Sequence, residues 1–358
     1  MTSDILIIGG GVAGLTAAAE LSAEASVTLL EAEPQLAYHA SGRSAAMFLE
    51  GYGNDTVRAL NTASADHHLH ADGGVLTPRA MMLLGPPDSE ETFTREAATF
   101  GLTPIPTEEA RARFPILDPV ACPFAALRED AHDIDTDLLV QNARRRALAN
   151  GTTIRTGQKV QAISGPGPWR VTTGDAAYTA TTLVNAAGAW ADEIAAYAGL
   201  ARIGLTPLRR SMARIPLPDG LDPATWPFVD VVGEAWYAKP DAGMLIVSPG
   251  EEDPSDPMDA WADDMVIAEG LARFEAQVTM AVTRVQATWA GLRTFAPDRT
   301  LVIGRDPACP EFLWLAGQGG YGFQTAPAAA ALTRALVNGS PSDLPAPVVA
   351  ALSPARFR

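Results

Sequence analysis

Cysteine is almost absent from this chain: only Cys122 and Cys309 occur in 358 residues. Two thiols so far apart make no disulfide framework and fit no metal spacing, so both are expected to be buried or incidental. Basic residues are scarce too, 26 against 42 acidic ones, for a formal charge of −16. A surface of that sign suits neither nucleic acid nor an anionic membrane, and neither is expected as a partner. Ile5 to Ala19 is apolar apart from Thr16, but it falls short of the ~20 residues of a membrane span and is broken by glycine. No transmembrane segment is expected. The first apolar strand begins at residue 5, which leaves no room ahead of it for a signal peptide, so a reduced, cytoplasmic location is expected. Histidine is limited to five. His67, His68 and His70 have no carboxylate or thiol at ligand spacing and read as a solvated helix face. Asp133, Asp135 and Asp137 lack the glycine and terminal glutamate of a calcium loop and read as helix capping. No metal is expected.

What is present is concentrated at the start. Ile5-Leu6-Ile7-Ile8 reads as a buried strand, Gly9-Gly10-Gly11-Val12-Ala13-Gly14 as a tight turn, and Leu15 to Leu21 as the opening of a helix. A strand, a glycine turn and a helix form a site where a pyrophosphate can sit on exposed backbone N–H groups. Gly9 allows the turn, Gly11 admits the diphosphate, and Gly14 lets the helix lie close to the sheet. A second strand, Val27-Thr28-Leu29-Leu30, ends at Glu31, whose carboxylate can accept both hydroxyls of an adenosine ribose. This unit binds FAD or NAD.

Two later glycine clusters favour FAD. Asn185-Ala186-Ala187-Gly188-Ala189-Trp190 is a small-residue turn against which a ribityl chain could lie. Gly317 to Gly322 opens a last helix with Thr325 near its cap and Pro327 in its first turn, whose positive end would stabilise a reduced flavin. Between these clusters the texture changes. Residues 206–290 carry aromatic and β-branched runs with scattered prolines, as in an antiparallel sheet. The length suggests about two domains. The expected architecture mixes α/β and α+β: a Rossmann-like FAD-binding domain from 1–75, 135–205 and 290–358, with a substrate domain from 76–134 and 206–289 inserted on an antiparallel sheet.

Longer motifs carry a resemblance. They are Tyr38-His39 with Ser41-Gly42-Arg43-Ser44-Ala45-Ala46, Tyr52-Gly53, Asp133 to Asp137, Val184 to Trp190, Arg209-Arg210-Ser211, Tyr237 with Lys239-Pro240-Asp241, Thr288 to Arg293, and Gln318 to Gly322. In these the chain resembles the D-amino acid oxidase superfamily of FAD-dependent oxidoreductases, nearest to its bacterial D-arginine dehydrogenase branch, almost end to end. The resemblance implies that FAD is held by Gly9, Gly11, Val12, Ala13, Gly14, Glu31 and Ala32, and by Ser41, Gly42, Arg43, Ser44 and Ala45. Val160, Ala187, Gly188 and Trp190 follow, then Gly319, Tyr321, Gly322, Phe323 and Gln324. It also implies that Arg210 and Arg293 hold a substrate carboxylate with Tyr237 and Tyr52, and that the Gly320 carbonyl accepts from the substrate amine. Guanidinium is well suited to that capture. Some relatives tether the flavin through a cysteine near the last glycine cluster. Cys309, in Asp306-Pro307-Ala308-Cys309-Pro310, reads as a turn outside that motif, so FAD is expected to be non-covalent.

The activity this implies is oxidative deamination of a D-amino acid by hydride transfer from Cα to flavin N5, giving an imino acid and then a 2-oxo acid. The electrons pass on to a quinone, an electron carrier or O2. Where the D-arginine dehydrogenases place a glutamate against the cationic tail, this chain has Met81. Met47, Leu49 and Phe228 replace other pocket residues, which makes the wall apolar and favours neutral apolar side chains. Asp230 is the exception. Glu50, beside Leu49 in an extended segment, is expected to face away. The alternatives are a glycine- or sarcosine-type amine oxidase, a 2-hydroxy acid dehydrogenase, which would need a base this chain does not place by motif, and a non-enzymatic flavin-binding module.

Overall fold

The computed structural model of the chain describes residues 1–174 and 176–358. Two sheets dominate it. In the first, the parallel strands Ala176–Asn185, Thr2–Ile8, Val27–Leu30 and Thr153–Arg155 lie side by side in that order, and Cys309–Ala316 joins the far end of Ala176–Asn185, also parallel. Antiparallel strands Ala162–Ser164, Trp169–Thr173 and Val302–Asp306 extend it. The apolar run at the start is a central strand: Leu6 and Ile7 are wholly buried, one on each face. Helix Val12–Leu21 packs between helices Thr136–Ala149 and Gly322–Asn338. Its alanines 17 and 18, and alanines 326, 328, 329 and 330 of the last helix, are buried, and their small side chains let the helices approach closely.

The second sheet runs in the order Asp253–Pro254, Thr206–Ile215, Met244–Ser248, Tyr237–Asp241, Phe228–Val231, Met81–Gly85, Phe124–Arg128 and Thr103–Ile105, with Ala287–Phe295 also paired to Thr206–Ile215. It is antiparallel as expected except at one join, where Phe228–Val231 runs parallel to Met81–Gly85. Position 290, the expected division between domains, falls inside the strand Ala287–Phe295. A small third sheet, Met47–Phe48, His132–Ile134 and Leu76–Pro78, lies where the chain passes between the two. Among the described residues no helix is long and apolar enough to cross a membrane, and no cluster of possible metal ligands occurs.

Several local expectations change. Asp135 caps helix Thr136–Ala149 by accepting from the Leu138 N–H at 2.8 Å. Asp133, however, is no cap; it pairs with Arg79 at 2.7 Å and Lys239 at 2.8 Å. The last helix begins at Gly322, with Tyr321 at its cap. Thr325 therefore lies inside it, its hydroxyl bonded to the Tyr321 carbonyl, and Pro327 falls in the second turn. Cys309 is the first residue of a strand, just past the turn.

The largest change concerns His68. His70 is exposed and His67 intermediate, but His68 is 0% exposed, on the inner face of helix Asp55–His70. Its Nε2 lies 2.9 Å from the Gln324 carbonyl and is the donor. Pro327 has no N–H to offer the Phe323 carbonyl four residues before it, which loosens this turn of the last helix. On the same inner face, Ser64 Oγ accepts from the Ala328 N–H at 3.1 Å. Burial pushes His68 from an ordinary value of 6.5 down to about 4, only partly offset by the Gln324 carbonyl. The unfolded chain takes up this proton near pH 6.5 and the folded one only near pH 4. His68 thus adds stability above pH 6.5 that is lost as pH falls toward 4. The melting temperature is expected to drop between pH 7 and pH 5, and less steeply in His68→Gln, whose amide can still donate but does not titrate. Equal slopes in the two proteins would show that His68 carries no such linkage.

Candidate active site

One cavity of about 550 Å3 opens between the two sheets. Two helices point their N-termini into it. Helix Val12–Leu21 starts behind Gly11 and helix Gly322–Asn338 behind Tyr321; neither cap residue offers a side-chain acceptor, and neither first turn holds an acid. Their free N–H groups and positive ends are therefore left for a ligand. Ser41 Oγ takes only the Val12 N–H, at 3.0 Å. Gly9 has φ +110°, and a Cβ there would overlap the Ala186 carbonyl, so the first and second glycine turns touch backbone to backbone. Glu31 is 9% exposed. Its Oε2 accepts from the Gly10 N–H at 2.6 Å and its Oε1 from the Glu33 N–H at 2.8 Å, which fixes the carboxylate at the cavity edge.

Alternation along the second sheet builds the opposite wall. Residues two apart share a face, and residues paired across strands share it too. Arg210 pairs with Gly291 and Leu208 with Arg293, which puts both arginines on one face. Asp230 pairs with Tyr237 and Phe228 with Met81 on the same side. All of these except Leu208 line the cavity, together with Met47, Leu49, Tyr52 and Gly320. Phe228 stacks on Tyr237 at 5.4 Å between centroids. Glu50 is exposed, bonded to Thr62, and does not line it. Of the residues expected to hold cofactor, all but three line the cavity. Gly14 lies beneath it, where a Cβ would overlap the Gly9 carbonyl; Gly42 backs onto the Ala37 carbonyl. The Tyr321 ring instead packs edge-on against Tyr52, 5.2 Å away.

Arg210 is 2% exposed. Its Nε donates to the Glu251 carbonyl at 2.8 Å, and Nη2 to Glu234 at 2.9 Å and Glu252 at 3.4 Å. Arg299 in turn grips Glu252 with both terminal nitrogens, at 3.1 and 2.8 Å. Three sides of Arg210 are thus held, and Nη1 has no partner; nor has the hydroxyl of Tyr237, whose ring lies 5.7 Å away. Burial works against the Arg210 charge, but Tyr237 and Glu234 outweigh it and raise its pKa. Among the described residues Arg293 has no carboxylate within ion-pair distance. Burial, reinforced by Glu234, pushes the Asp230 carboxyl well above the ordinary carboxylate range. No cation pairs with it among the described residues.

Glu234, Glu252, Met258 and Ala260 shape this site without any motif announcing them. Glu234 follows Gly233 in a turn where both residues have positive φ, 73° and 51°, an arrangement that a side chain tolerates only when its surroundings hold it. Gly233 two residues after Val231 is the only trace of this in the sequence.

The match to known proteins agrees with this geometry. The model of the family described as FAD dependent oxidoreductase, DAO, matches residues 4–336. The fold is similar to that of L-alpha-glycerophosphate oxidase from Mycoplasma pneumoniae, solved with FAD bound, at TM-score 0.85 and 21% identity over 94% of this chain and 95% of that one. Glycine oxidase from Geobacillus kaustophilus is similar at TM-score 0.84 and 20% identity, over 98% of both chains. L-proline dehydrogenase from P. horikoshii is similar at TM-score 0.84 and 23% identity, over 99% of this chain and 98% of that one. Two uncapped helix ends and the fixed Glu31 carboxylate facing one cavity fit FAD, and with the family model spanning residues 4–336 the chain belongs to the DAO family of FAD-dependent oxidoreductases.

Proposed function

We propose that this chain is a D-amino acid dehydrogenase, allied to the D-arginine dehydrogenase branch of its family but turned toward neutral apolar side chains. The observation that carries the reading is the pair of buried donors without partners, Arg210 Nη1 and the Tyr237 hydroxyl, on the wall that also holds Arg293. A buried donor left unmade is costly, and a substrate carboxylate would satisfy both at once. Glu234, Glu252 and the Glu251 carbonyl hold Arg210 while its last nitrogen does this. Gly320, whose missing β-carbon leaves room beside the Arg293 guanidinium, would offer its carbonyl to a neutral α-amine. Bound FAD supplies the acceptor for the two electrons and the hydrogen of Cα; the protein binds, orients and excludes water. The product is an imino acid, which water converts to a 2-oxo acid.

A 2-hydroxy acid would need a base for its hydroxyl. His39, the one cavity-lining histidine among the described residues, has its Nε2 paired with Glu33 at 3.0 Å and its ring tilted against Trp190. A glycine- or sarcosine-type oxidase would have no use for the long apolar wall of Met47, Leu49, Met81 and Phe228.

Two outcomes follow. Arg293→Met is expected to lower kcat/KM for a D-amino acid by on the order of 10²–10³, because one partner of a buried charge pair is lost, with FAD content unchanged. Activity within about threefold of the parent would make Arg293 structural. D-Methionine is expected to exceed D-arginine in kcat/KM by about tenfold or more, because a guanidinium entering this wall meets a single carboxyl whose ionisation burial opposes. If D-arginine is the better substrate by that factor, Asp230 is ionised in the complex, and Asp230→Val then abolishes the preference.

A further inference from the structure

Residues 255–263, between strand Asp253–Pro254 and helix Asp264–Glu275, have no regular structure, yet their middle is firmly held. Ala260 is buried against Ala290 and Leu292, with Ala189 of the second glycine turn packed beside them. Met258 and Ala260 line the FAD cavity. Between them Asp259 turns outward and meets the loop that follows the first nucleotide strands. Its Oδ1 lies 2.5 Å from Arg43 Nη2 and 3.9 Å from His39 Nδ1, and its Oδ2 accepts from the Tyr38 hydroxyl at 3.1 Å. Arg43 also donates to the Ala260 and Ala290 carbonyls at 2.7 and 2.9 Å, and to the Tyr38 carbonyl at 3.2 Å. Four of its five N–H donors are thus spent on protein, although it lines the cavity.

We infer that residues 255–263 form a strap across the FAD cavity, and that Asp259, gripped by Arg43 and Tyr38, is the latch that sets how fast FAD leaves. The strap comes from the second sheet and the residues it grips come from the first domain, so the latch joins the two walls between which the cofactor lies. Ala260 is already fixed by packing, and the loop 38–43 is fixed by Trp289, whose Nε1 donates to the Arg43 carbonyl at 3.2 Å. Asp259 is the ionic part of the seam. Arg43, then Tyr38, holds its carboxyl below the ordinary value. Its side chain is 55% exposed, against 15% for Arg43, so added salt reaches it readily. A latch of this kind affects retention of FAD whatever the substrate, because none of its groups belongs to the carboxylate clamp.

The test uses the FAD-loaded full chain. On dilution, the rise of free-flavin fluorescence gives the release rate. Asp259→Asn is expected to release FAD about three- to tenfold faster, the range expected for losing a half-exposed charged contact and one hydroxyl bond. Tyr38→Phe, which removes only the hydroxyl, is expected to give a smaller increase. Release from the parent protein is expected to quicken with added NaCl, and release from Asp259→Asn to be insensitive to it. Release from Asp259→Asn within about twofold of the parent would overturn the latch. So would a parent rate that does not change with NaCl, and that measurement stands even if a variant fails to fold.

Discussion

A guanidinium buried to 2% exposure has to be surrounded by acceptors, and much of the second domain follows from satisfying Arg210. Its Nε needs the Glu251 carbonyl, so strand Asp253–Pro254 must enter beside Thr206–Ile215. Its Nη2 needs Glu234 and Glu252, so the turn after Phe228–Val231 must bring a side chain inward at positive φ. Arg299 then holds Glu252 from the far side. Before any ligand arrives, two carboxylates already face this one cation.

The first domain is organised by a different constraint, the contact of backbone with backbone. Gly9 and Gly14 leave no room for a β-carbon, and Gly9 meets the second glycine turn at Ala186. Turns far apart in sequence therefore close on one another, and the two helix ends reach the same cavity. The walls differ in kind: one offers N–H groups of the main chain, the other side chains on alternate positions of a sheet.

What was legible in the sequence was local. Strand, turn, helix and Glu31 are adjacent in the chain, and their spacing is set by geometry that any such unit must obey. The capping Asp135 lies where the sequence leads one to expect it for the same reason. His68 was not legible, because its burial depends on a helix 256 residues away, whose Gln324 carbonyl it meets. Polar residues on a helix read as solvated unless that partner is known. Glu234 and Glu252 were hidden for a related reason: loop acids in a chain of −16 charge look like ordinary surface. The division at 290 fell inside a strand because Ala287–Phe295 belongs by pairing to the second sheet and leads by sequence into the first. The charge and the apolar positions that line the cavity come from the family resemblance rather than from pattern; Arg210 and Arg293 lie 83 positions apart in strands whose pairing nothing local announces.

The single parallel join in the second sheet divides its inner face into two territories. The arginines stand on Thr206–Ile215 and Ala287–Phe295, toward one edge; Phe228, Asp230 and Met81 stand on the two strands at the join, with Met244–Ser248 and Tyr237–Asp241 between. The strands at the join belong to different passages of the chain, and neither carries an arginine of this face, though the turn after Phe228–Val231 brings Glu234 to Arg210. Substitutions there can reshape the far end of the cavity while the arginines keep their places. Such a layout leaves one end of the cavity free to change over generations while the charged end stays as it is.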